Sequence, residues 1–582
     1  MKSIKYISAA VVLSLTLVSC GDEFLDKDPD ERIEIKTIGQ VQQLLTSAYG
    51  ACNYGWLCEL SSDNLMDNNA PHLPASPNDK QVLVHYNLQP YERMDDEIFR
   101  FEQVKSSTGT DSPSSIWENC YNAIATANHC LVYLDQIEEQ ERAEAAAIGQ
   151  NYTPSEDERA ARGEALLIRA YHHFILVNIF SQAYKNDQAS SQDIGIPYIT
   201  TPEDKVLVHY ERGTVTETYN RIREDMEAGL KLVSNTYYQM PKWHFNVNAA
   251  HAFAARFYLY TRDYEKVIEH ANAVLGEGTG NLSDLLMTYD LFDNCTYGDD
   301  YANVWQSANL NNNLMLMATY SISSRRAAGY RYGQISTALQ STIYHLGPNW
   351  RWYVIPCAYV SGMTFYRSNQ DYGFMSMKCG ETFEYTDKVA GIGYAHVIRR
   401  EFTCTELLLE RAEAKLLKQN PDIDGCIEDL IAYDTSRWTF TEDDARTFFA
   451  SNALTYLTRP VLESYYKDPK NYNCFENWDF TQNMSPDFVV PQDRVVYMNA
   501  INDMRRYETN WEGLRFFDLK RWGVEYSHFY SVDNIEYKLT WNDPRRAIEI
   551  PQEVMAAGLE PSRPPMDIKD LQQATTEIRK TY

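Results

Sequence analysis

Apolar side chains recur every three or four positions over most of the chain, the spacing of an amphipathic helix. In the first strong example, Trp117, Tyr121 and Ile124 fall on one face. A second stripe includes Ile168 and Leu176. The pattern predicts helices over residues 117–134, 160–180, 214–230, 248–260, 264–275, 406–417 and 426–433.

Some of these predicted helices come in pairs joined by a short turn. The helix from Asn248 to Tyr260 meets the next one across Thr261-Arg262-Asp263, and small alanines stand where the two would cross. Two amphipathic helices joined in this way are typical of a tetratricopeptide-like hairpin. The fold is therefore predicted to be mostly α, although long insertions between hairpins exclude a regular repeat array.

The middle of the chain has a different pattern. From Thr279 to Gly393 the helical spacing is lost, and short β-prone runs appear at 302–305 and 353–355. We interpret residues 279–393 as an irregular, loop-rich subdomain with short strands, inserted among the helices. Long ordered loops on a rigid scaffold often carry binding sites, whereas Trp305 is expected to belong to the core.

The N-terminus has the layout of a lipoprotein signal. Lys2 and Lys5 precede a mostly apolar run of about a dozen residues, shorter than the ~20 of a membrane-spanning helix. Leu17 to Cys20 resembles a bacterial lipobox, in which the cysteine is lipidated and becomes the first residue. We expect residues 1–19 to be a signal peptide and 20–30 a lipidated tether that holds the body at a membrane.

Composition narrows the class of ligand. A formal net charge of −28 disfavours binding to nucleic acid or to an anionic membrane surface. The 42 tyrosines and 11 tryptophans suit sugars or peptides, although most are expected in the core. Of the 11 cysteines, Cys52 and Cys58 are close enough in sequence to bridge, but most are expected to be small buried apolar groups.

Motifs for catalysis or metal binding are not found. The sequence has no GxSxG, HExxH, phosphate-loop or dinucleotide fingerprint, and no cysteine–histidine cluster with zinc spacing. His172-His173 is expected to be a hydrogen-bonded or surface pair. Residues 420–425 resemble the start of a calcium-binding loop. Ile431 stands where the loop needs a carboxylate ligand, so a calcium site is not predicted. We therefore predict no catalytic residue, no metal site and no cofactor.

Six segments, in the right order, carry a family resemblance. Residues 503–508 and the segment WEGLRFFDLKRWG at 511–523 resemble the C-terminal signature of the SusD/RagB family. Met504, Thr509 and Trp511 depart from it, which puts one family ion pair in doubt. The other matching segments are 163–170, 246–264, 406–414 and 550–553, of which 406–414 is the loosest because Thr403 replaces an arginine. The basic residues of the signature are expected to be structural.

The resemblance implies an architecture, a location and a role. It implies tetratricopeptide-like hairpins in a right-handed superhelical scaffold, with an N-terminal helical region (31–278), the irregular ligand-side subdomain (279–393) and a C-terminal region (394–582). It implies an outer-membrane lipoprotein, anchored through Cys20 and facing outward. Its role would be to capture a nutrient oligomer, usually a glycan, and deliver it as a lid to a SusC-like TonB-dependent transporter.

The predicted ligand residues lie in two segments. Asn349-Trp350-Arg351-Trp352-Tyr353 follows a Gly-Pro turn and would place Trp350 and Trp352 on one face if extended, although a core role fits equally well. The acidic, amide-rich stretch with Asp67 and Asn68 is expected to meet the same ligand. Two alternatives remain open: a RagB-like peptide-binding protein and a surface glycosidase.

Overall fold

The protein is described by a computed structural model. It describes residues 35–69, 89–203, 209–292, 294–296, 298–327, 331–335, 363–367, 371–375, 377–437, 457–468, 471, 480, 484–533, 535–564 and 572–574. Cys20 and the tether lie outside the described residues.

Helices dominate these ranges and follow one another from the N-terminal region to the end of the chain. They are α1 (Ile38–Leu45), α2 (Gly55–Leu60), α3 (Arg93–Phe99), α4 (Pro113–Ala147), α5 (Glu156–Phe180), α6 (Asp187–Ser190), α7 (Val215–Leu230), α8 (Val247–Thr261), α9 (Tyr264–Leu275), α10 (Leu282–Leu285), α11 (Gly298–Trp305), α12 (Ser323–Ala327), α13 (Cys404–Leu417), α14 (Ile423–Ser436), α15 (Arg459–Tyr466), α16 (Val495–Glu508), α17 (Leu514–Trp522) and α18 (Gln552–Ala556).

The long helices pack in sequence-adjacent pairs that stack on one another. Helix α4 packs on α5, α5 on α7, α8 on α9 and α13 on α14, while α9 contacts α13 and α13 contacts α16. Arg262 adopts a left-handed conformation (φ 64°) in the turn between α8 and α9. The predicted hairpins and the mostly α, superhelical fold class are confirmed.

Capping interactions explain where several helices begin. The Thr214 side chain accepts a hydrogen bond from the Glu217 backbone amide, and the Glu217 side chain accepts one from the Thr214 amide, which is the predicted capping box. Asn246 caps α8 in a similar way through the amide of Ala249. Helix α4 continues to Ala147, beyond the end at residue 134 that the apolar spacing predicts.

Three small sheets lie between the helices. Strands β1 (Met66–Asp67), β3 (Tyr332–Ile335), β5 (Asp371–Met375) and β4 (Met363–Arg367) form one sheet in that order. Strands β2 (Asn313–Tyr320), β7 (Ile392–Thr403) and β6 (Glu381–Asp387) form the second, and β10 (Gln572–Ala574), β9 (Ile535–Leu539) and β8 (Tyr526–Tyr530) the third. All neighbouring strands are antiparallel.

Two expectations for the middle region can be compared with the structure. The β-prone run 302–305 is wrong as a strand, because these residues form the last turn of α11. Trp305 is fully buried, as expected for a core residue. Strand β7 begins at Ile392 and runs across the predicted boundary at 393.

The basic residues of the C-terminal signature hold helices together. Arg505 of α16 pairs with Asp518 of α17 (Nε–Oδ2 2.9 Å), and Arg521 of α17 reaches Glu413 of α13 (Nη2–Oε2 2.7 Å). Burial alone would raise the pKa of Asp518, but Arg505 and Arg521 hold it below its usual value. Removing one partner from such a buried pair costs about 3–5 kcal/mol. The expected structural role is confirmed.

Buried histidines and cysteines complete the core. His172 and His173 are buried, and each bonds the carbonyl oxygen four residues earlier in α5. The cysteines of the described ranges are free thiols and mostly buried, so a Cys52–Cys58 bridge is absent there. The Cys52 sulfur instead lies 3.6 Å from that of Cys120 on α4. None of the described helices is both long and apolar enough to cross a membrane.

Candidate functional site

Large apolar side chains are exposed together at one end of the β2–β7–β6 sheet. Six of the twelve exposed large apolar residues of the described ranges belong to the end of β2 or to the β6–β7 hairpin: Tyr320, Phe383, Tyr385, Val389, Ile392 and Tyr394. A contiguous exposed apolar patch on a soluble body usually marks a binding surface. We call this region the aromatic hairpin.

The register divides the aromatic hairpin into two faces. Tyr320 of β2 stands opposite His396 of β7, and Tyr394 of β7 stands opposite Glu384 of β6. Side chains two apart on a strand, and those directly opposite on its neighbour, share a face. These four side chains therefore form one surface, which we call the tyrosine face.

The rings of the tyrosine face are close enough to act together. The Tyr320 ring centroid lies 5.2 Å from that of Tyr394 and 4.7 Å from that of His396. Tyr320 and Tyr394 are 42% and 55% exposed, so their ring surfaces remain accessible to a ligand. An exposed ring stacks on an apolar ligand face, and the tyrosine hydroxyl adds a hydrogen-bonding group.

Polar groups lie directly beside these rings. The Glu384 carboxylate lies 2.8 Å from His396 Nε2, and its side chain is 67% exposed. A carboxylate accepts hydrogen bonds from several hydroxyl groups at once. Aromatic surface with adjacent hydrogen-bonding groups is the combination that a sugar or a peptide needs.

The opposite face of the hairpin also carries aromatic rings, but the carboxylate near them is less available to a ligand. Phe383 and Tyr385 alternate with Glu384 along β6, and their ring centroids lie 4.8 Å apart in an edge-on arrangement. The neighbouring Glu381 accepts a hydrogen bond from Arg325 Nε (2.8 Å), and its side chain is 14% exposed, whereas that of Glu384 is 67% exposed. We therefore take the tyrosine face as the candidate site.

The side chain of Asp387 holds the turn of the hairpin. Asp387 Oδ1 accepts hydrogen bonds from the amides of Val389 (2.9 Å) and Ala390 (3.0 Å). Gly391 has φ 68°, a conformation that glycine adopts without strain. The two strands are thus fixed in register, which keeps the tyrosine face intact.

The two predicted ligand segments differ in whether the structure describes them. Asn349, Trp350, Arg351, Trp352 and Tyr353 lie outside the described residues, between β3 and β4 in the chain. Their ligand role stays a prediction.

Asp67 and Asn68 are buried, at 1% and 8% exposure. Asp67 Oδ2 accepts hydrogen bonds from the amide and the hydroxyl of Ser531 (2.9 and 2.7 Å), and Arg331 lies 3.2 Å away. Asp67 therefore ties the sheet of β1 and β3 to the end of β8. Its carboxylate serves the fold in this structure.

The residues of the tyrosine face are not among the predicted ligand residues. A signal was present, because Phe383 and Tyr385, and then Tyr394 and His396, alternate on either side of a turn that ends at Gly391. Such alternation around a glycine-containing turn predicts a hairpin. Exposure of its rings could not be read from the pattern alone. Across the described residues, no group of three or more potential metal ligands is found.

Comparison with known proteins bears on the fold and the family. The SusD-like family model, described as "Starch-binding associating with outer membrane", matches residues 23–259. The comparison with curated proteins found no match.

Solved structures share the fold over most of the chain. A SusD superfamily protein from Bacteroides thetaiotaomicron superposes with a TM-score of 0.55 at 16% identity, covering 91% of this chain and 100% of its own. A SusD-like carbohydrate binding protein from Bacteroides vulgatus gives 0.53 at 15% identity, covering 92% of this chain and 99% of its own.

Fold and site together define a helical scaffold of tetratricopeptide-like hairpins that presents an aromatic surface on a small sheet. The family model over residues 23–259 and the fold shared with the solved structures confirm the resemblance that the sequence motifs indicated.

Proposed function

We propose that this protein is a non-catalytic binding protein of the cell surface. It captures a glycan on the tyrosine face and delivers it to a SusC-like TonB-dependent transporter, which it covers as a lid. The exposed pair of Tyr320 and Tyr394 beside Glu384 and His396 is the observation that carries the proposal.

Glycan chemistry fits this surface better than peptide chemistry does. A sugar ring offers an apolar face to an aromatic ring and hydroxyl groups to a carboxylate. An extended peptide binds mainly through backbone groups along a sheet edge, whereas the groups of the tyrosine face are side chains that project from the surface of the sheet. The starch-binding description of the matching family and the carbohydrate-binding relative agree with a glycan.

Membrane attachment and transport belong to the same proposal. Lipidation of Cys20 and the polar tether through residue 30 would leave an acidic body free to move over a membrane partner. The packed helical hairpins would form the transporter side, and the irregular region the ligand side. Copurification of a TonB-dependent transporter with the affinity-tagged protein, from its native outer membrane, tests this partnership.

A binding screen tests the ligand class. The purified protein is applied to a glycan array and, in parallel, to a peptide library, and any bound oligosaccharide is checked for cleavage products. Selective retention of one glycan family without product release is expected. Selective peptide binding would replace the glycan proposal with the RagB-like alternative, and released products would replace it with the glycosidase alternative.

The segment with Trp350 and Trp352 forms a second part of the proposed ligand surface. Replacing both Trp350 and Trp352 with alanine is expected to weaken glycan retention while leaving the melting temperature nearly unchanged. Titration calorimetry and thermal melts of the double variant check this. A large fall in melting temperature with unchanged glycan affinity would assign the two residues to the core instead.

A further inference from the structure

A groove of about 420 Å³ lies on the helical scaffold, formed by one face of α4, a loop after α6 and the C-terminal helix α18. Its apolar lining comes from Trp117, Tyr121, Ile124, Pro197, Ile199, Val554 and Leu559. None of these residues belongs to the aromatic hairpin. The groove is therefore a separate candidate for binding.

The loop wall of the groove is fixed by buried polar side chains. Tyr121 Oη donates a hydrogen bond to the carbonyl oxygen of Pro197 (2.8 Å), and Asn128 Nδ2 donates one to that of Ile199 (3.1 Å). The Ile199 amide donates to His173 Nε2 (3.0 Å). Three side chains from α4 and α5 thus hold this wall in place, so a ligand would meet a preformed surface.

The opposite wall is tied down as well. Arg212 Nη1 donates a hydrogen bond to the carbonyl oxygen of Glu560 (2.8 Å), and Ser562 Oγ donates to that of Phe180 (2.6 Å). These bonds anchor the chain that follows Val554 and Leu559. Both walls are therefore held in place by hydrogen bonds within the protein.

The apolar part of the lining suits an aliphatic side chain. Trp117 is only 9% exposed, and its ring packs against Tyr121 and Phe180 at centroid distances of 5.0 and 5.1 Å. Its faces are thus largely covered by protein. The aliphatic residues of the lining accommodate an apolar side chain. Three more rings line the groove, those of His129, His209 and Tyr210, and the Tyr210 hydroxyl donates a hydrogen bond to Glu203.

Carboxylates stand at the rim of the groove. Glu118 and Glu203 are exposed lining residues, and no lysine or arginine is part of the described lining. The whole chain carries a net charge of −28, which adds to the negative potential there. The charge is complementary to a cationic group held next to an apolar one.

We propose that this groove binds an extended segment of a partner protein in which an apolar side chain is flanked by lysine or arginine. The apolar side chain enters between Ile199 and Leu559, and the flanking cations meet Glu118 and Glu203. The groove would thus be a docking site of the helical scaffold, independent of glycan capture at the tyrosine face.

Peptide titration tests the docking site. The purified full-length mature protein is titrated against a fluorescein-labelled pentapeptide of glycine, lysine, leucine, lysine and glycine, followed by anisotropy. The matched probe replaces both lysines with glutamate. Binding of the lysine peptide alone, weakened by added salt, is expected. Equal binding of both peptides, or of neither, would overturn the proposal.

Variants at exposed positions locate the binding. Joint Glu118→Gln and Glu203→Gln replacement is expected to weaken the lysine peptide about tenfold, whereas Glu139→Gln, farther along α4, leaves it unchanged. Ala557→Trp fills the groove and should abolish binding, while Ala556→Trp, on the same helix but outside the lining, should not.

A competition assay tests whether the groove binds a sugar instead of a peptide. Neutral oligosaccharides in excess are expected to leave the bound lysine peptide in place. Displacement by the sugars, or unchanged peptide affinity in Ala557→Trp, would contradict a peptide-docking groove.

Discussion

Histidines 172 and 173 show how individual side chains fix this fold. Gly50 donates its backbone amide to His172 Nε2 (2.9 Å), while His172 Nδ1 bonds the carbonyl oxygen of Ile168 (2.8 Å). Both contacts are satisfied only by the neutral ring with its proton on Nδ1. Burial lowers the pKa of His172 to about 4 and that of His173 to about 3.

The neutral rings make stability depend on pH. Because the folded-state pKa of His172 is below the usual value of 6.5, its contribution is present above that value and lost as the pH falls towards 4. Between pH 7 and 5 the loss is about 2 kcal/mol for this histidine. Burial raises the pKa of Glu59 to about 7, which acts in the opposite direction.

Replacing His172 separates its contribution to the pH dependence of stability from that of Glu59. His172→Gln keeps a neutral donor and acceptor, so its free energy of unfolding should fall less between pH 7 and 5 than that of the unsubstituted protein. Urea titrations at both pH values check this. An identical fall in the two proteins would show that His172 does not contribute.

At the scale of single residues, the sequence predicted which interactions a side chain makes better than it predicted whether the side chain is exposed to solvent. His172-His173 was correctly expected to be hydrogen-bonded, since adjacent histidines with no further ligand residues rarely form a metal site. The tyrosine face was missed because exposure depends on which strand covers which, and no local pattern reports that. Asp67 was expected to meet the ligand because it lies in an acidic, amide-rich stretch, whereas in the structure it is buried and pairs with Arg331, far along the chain.

At the scale of elements, close helix crossings depend on residues without side chains. A Cβ atom added at Gly163 of α5 would lie 2.5 Å from the backbone nitrogen of Val233, just after α7. Such contact with backbone cannot be relieved by a rotamer change. The glycine of the 163–170 motif is thus required by the approach of the α7 end to α5.

Alanine substitution tests this crossing. Gly163→Ala is expected to lower the free energy of unfolding by about 1–3 kcal/mol, because the chain after α7 must move away from α5. Gly39→Ala in α1 is the control, since nothing lies within 4 Å of the added atom, and should raise stability by about 0.5–1 kcal/mol. Thermal melts that rank the two variants in the reverse order would contradict this account of the crossing.

The helical elements were predictable because their signals are local. Apolar spacing, the capping box at Thr214 and the turn at Arg262 each lie within a few residues of the helix ends that they define. The run 302–305 was assigned wrongly because four residues cannot distinguish a buried helical turn from a strand. The end of β7 pairs with β2, about eighty residues away, so its length depends on a non-local partner.

At the scale of the whole molecule, attachment and binding are separate properties. The lipid on Cys20 is proposed to hold the protein at the outer membrane, while the acidic body is proposed to recognise the ligand. Cys20→Ala should therefore move the protein from the membrane fraction to the soluble fraction. Immunoblots of fractionated cells that lack the transporter give the cleanest reading, and full membrane retention there would contradict the tether.

Glycan affinity at the tyrosine face tests the central proposal most directly. Titration calorimetry with the glycan that the array selects compares Tyr394→Ala with Tyr385→Ala, which has similar exposure but lies on the opposite face. Loss of one stacking ring should weaken binding about tenfold in Tyr394→Ala and leave Tyr385→Ala unchanged. Unchanged affinity in Tyr394→Ala, or an equal loss in both variants, would contradict a glycan site on this face.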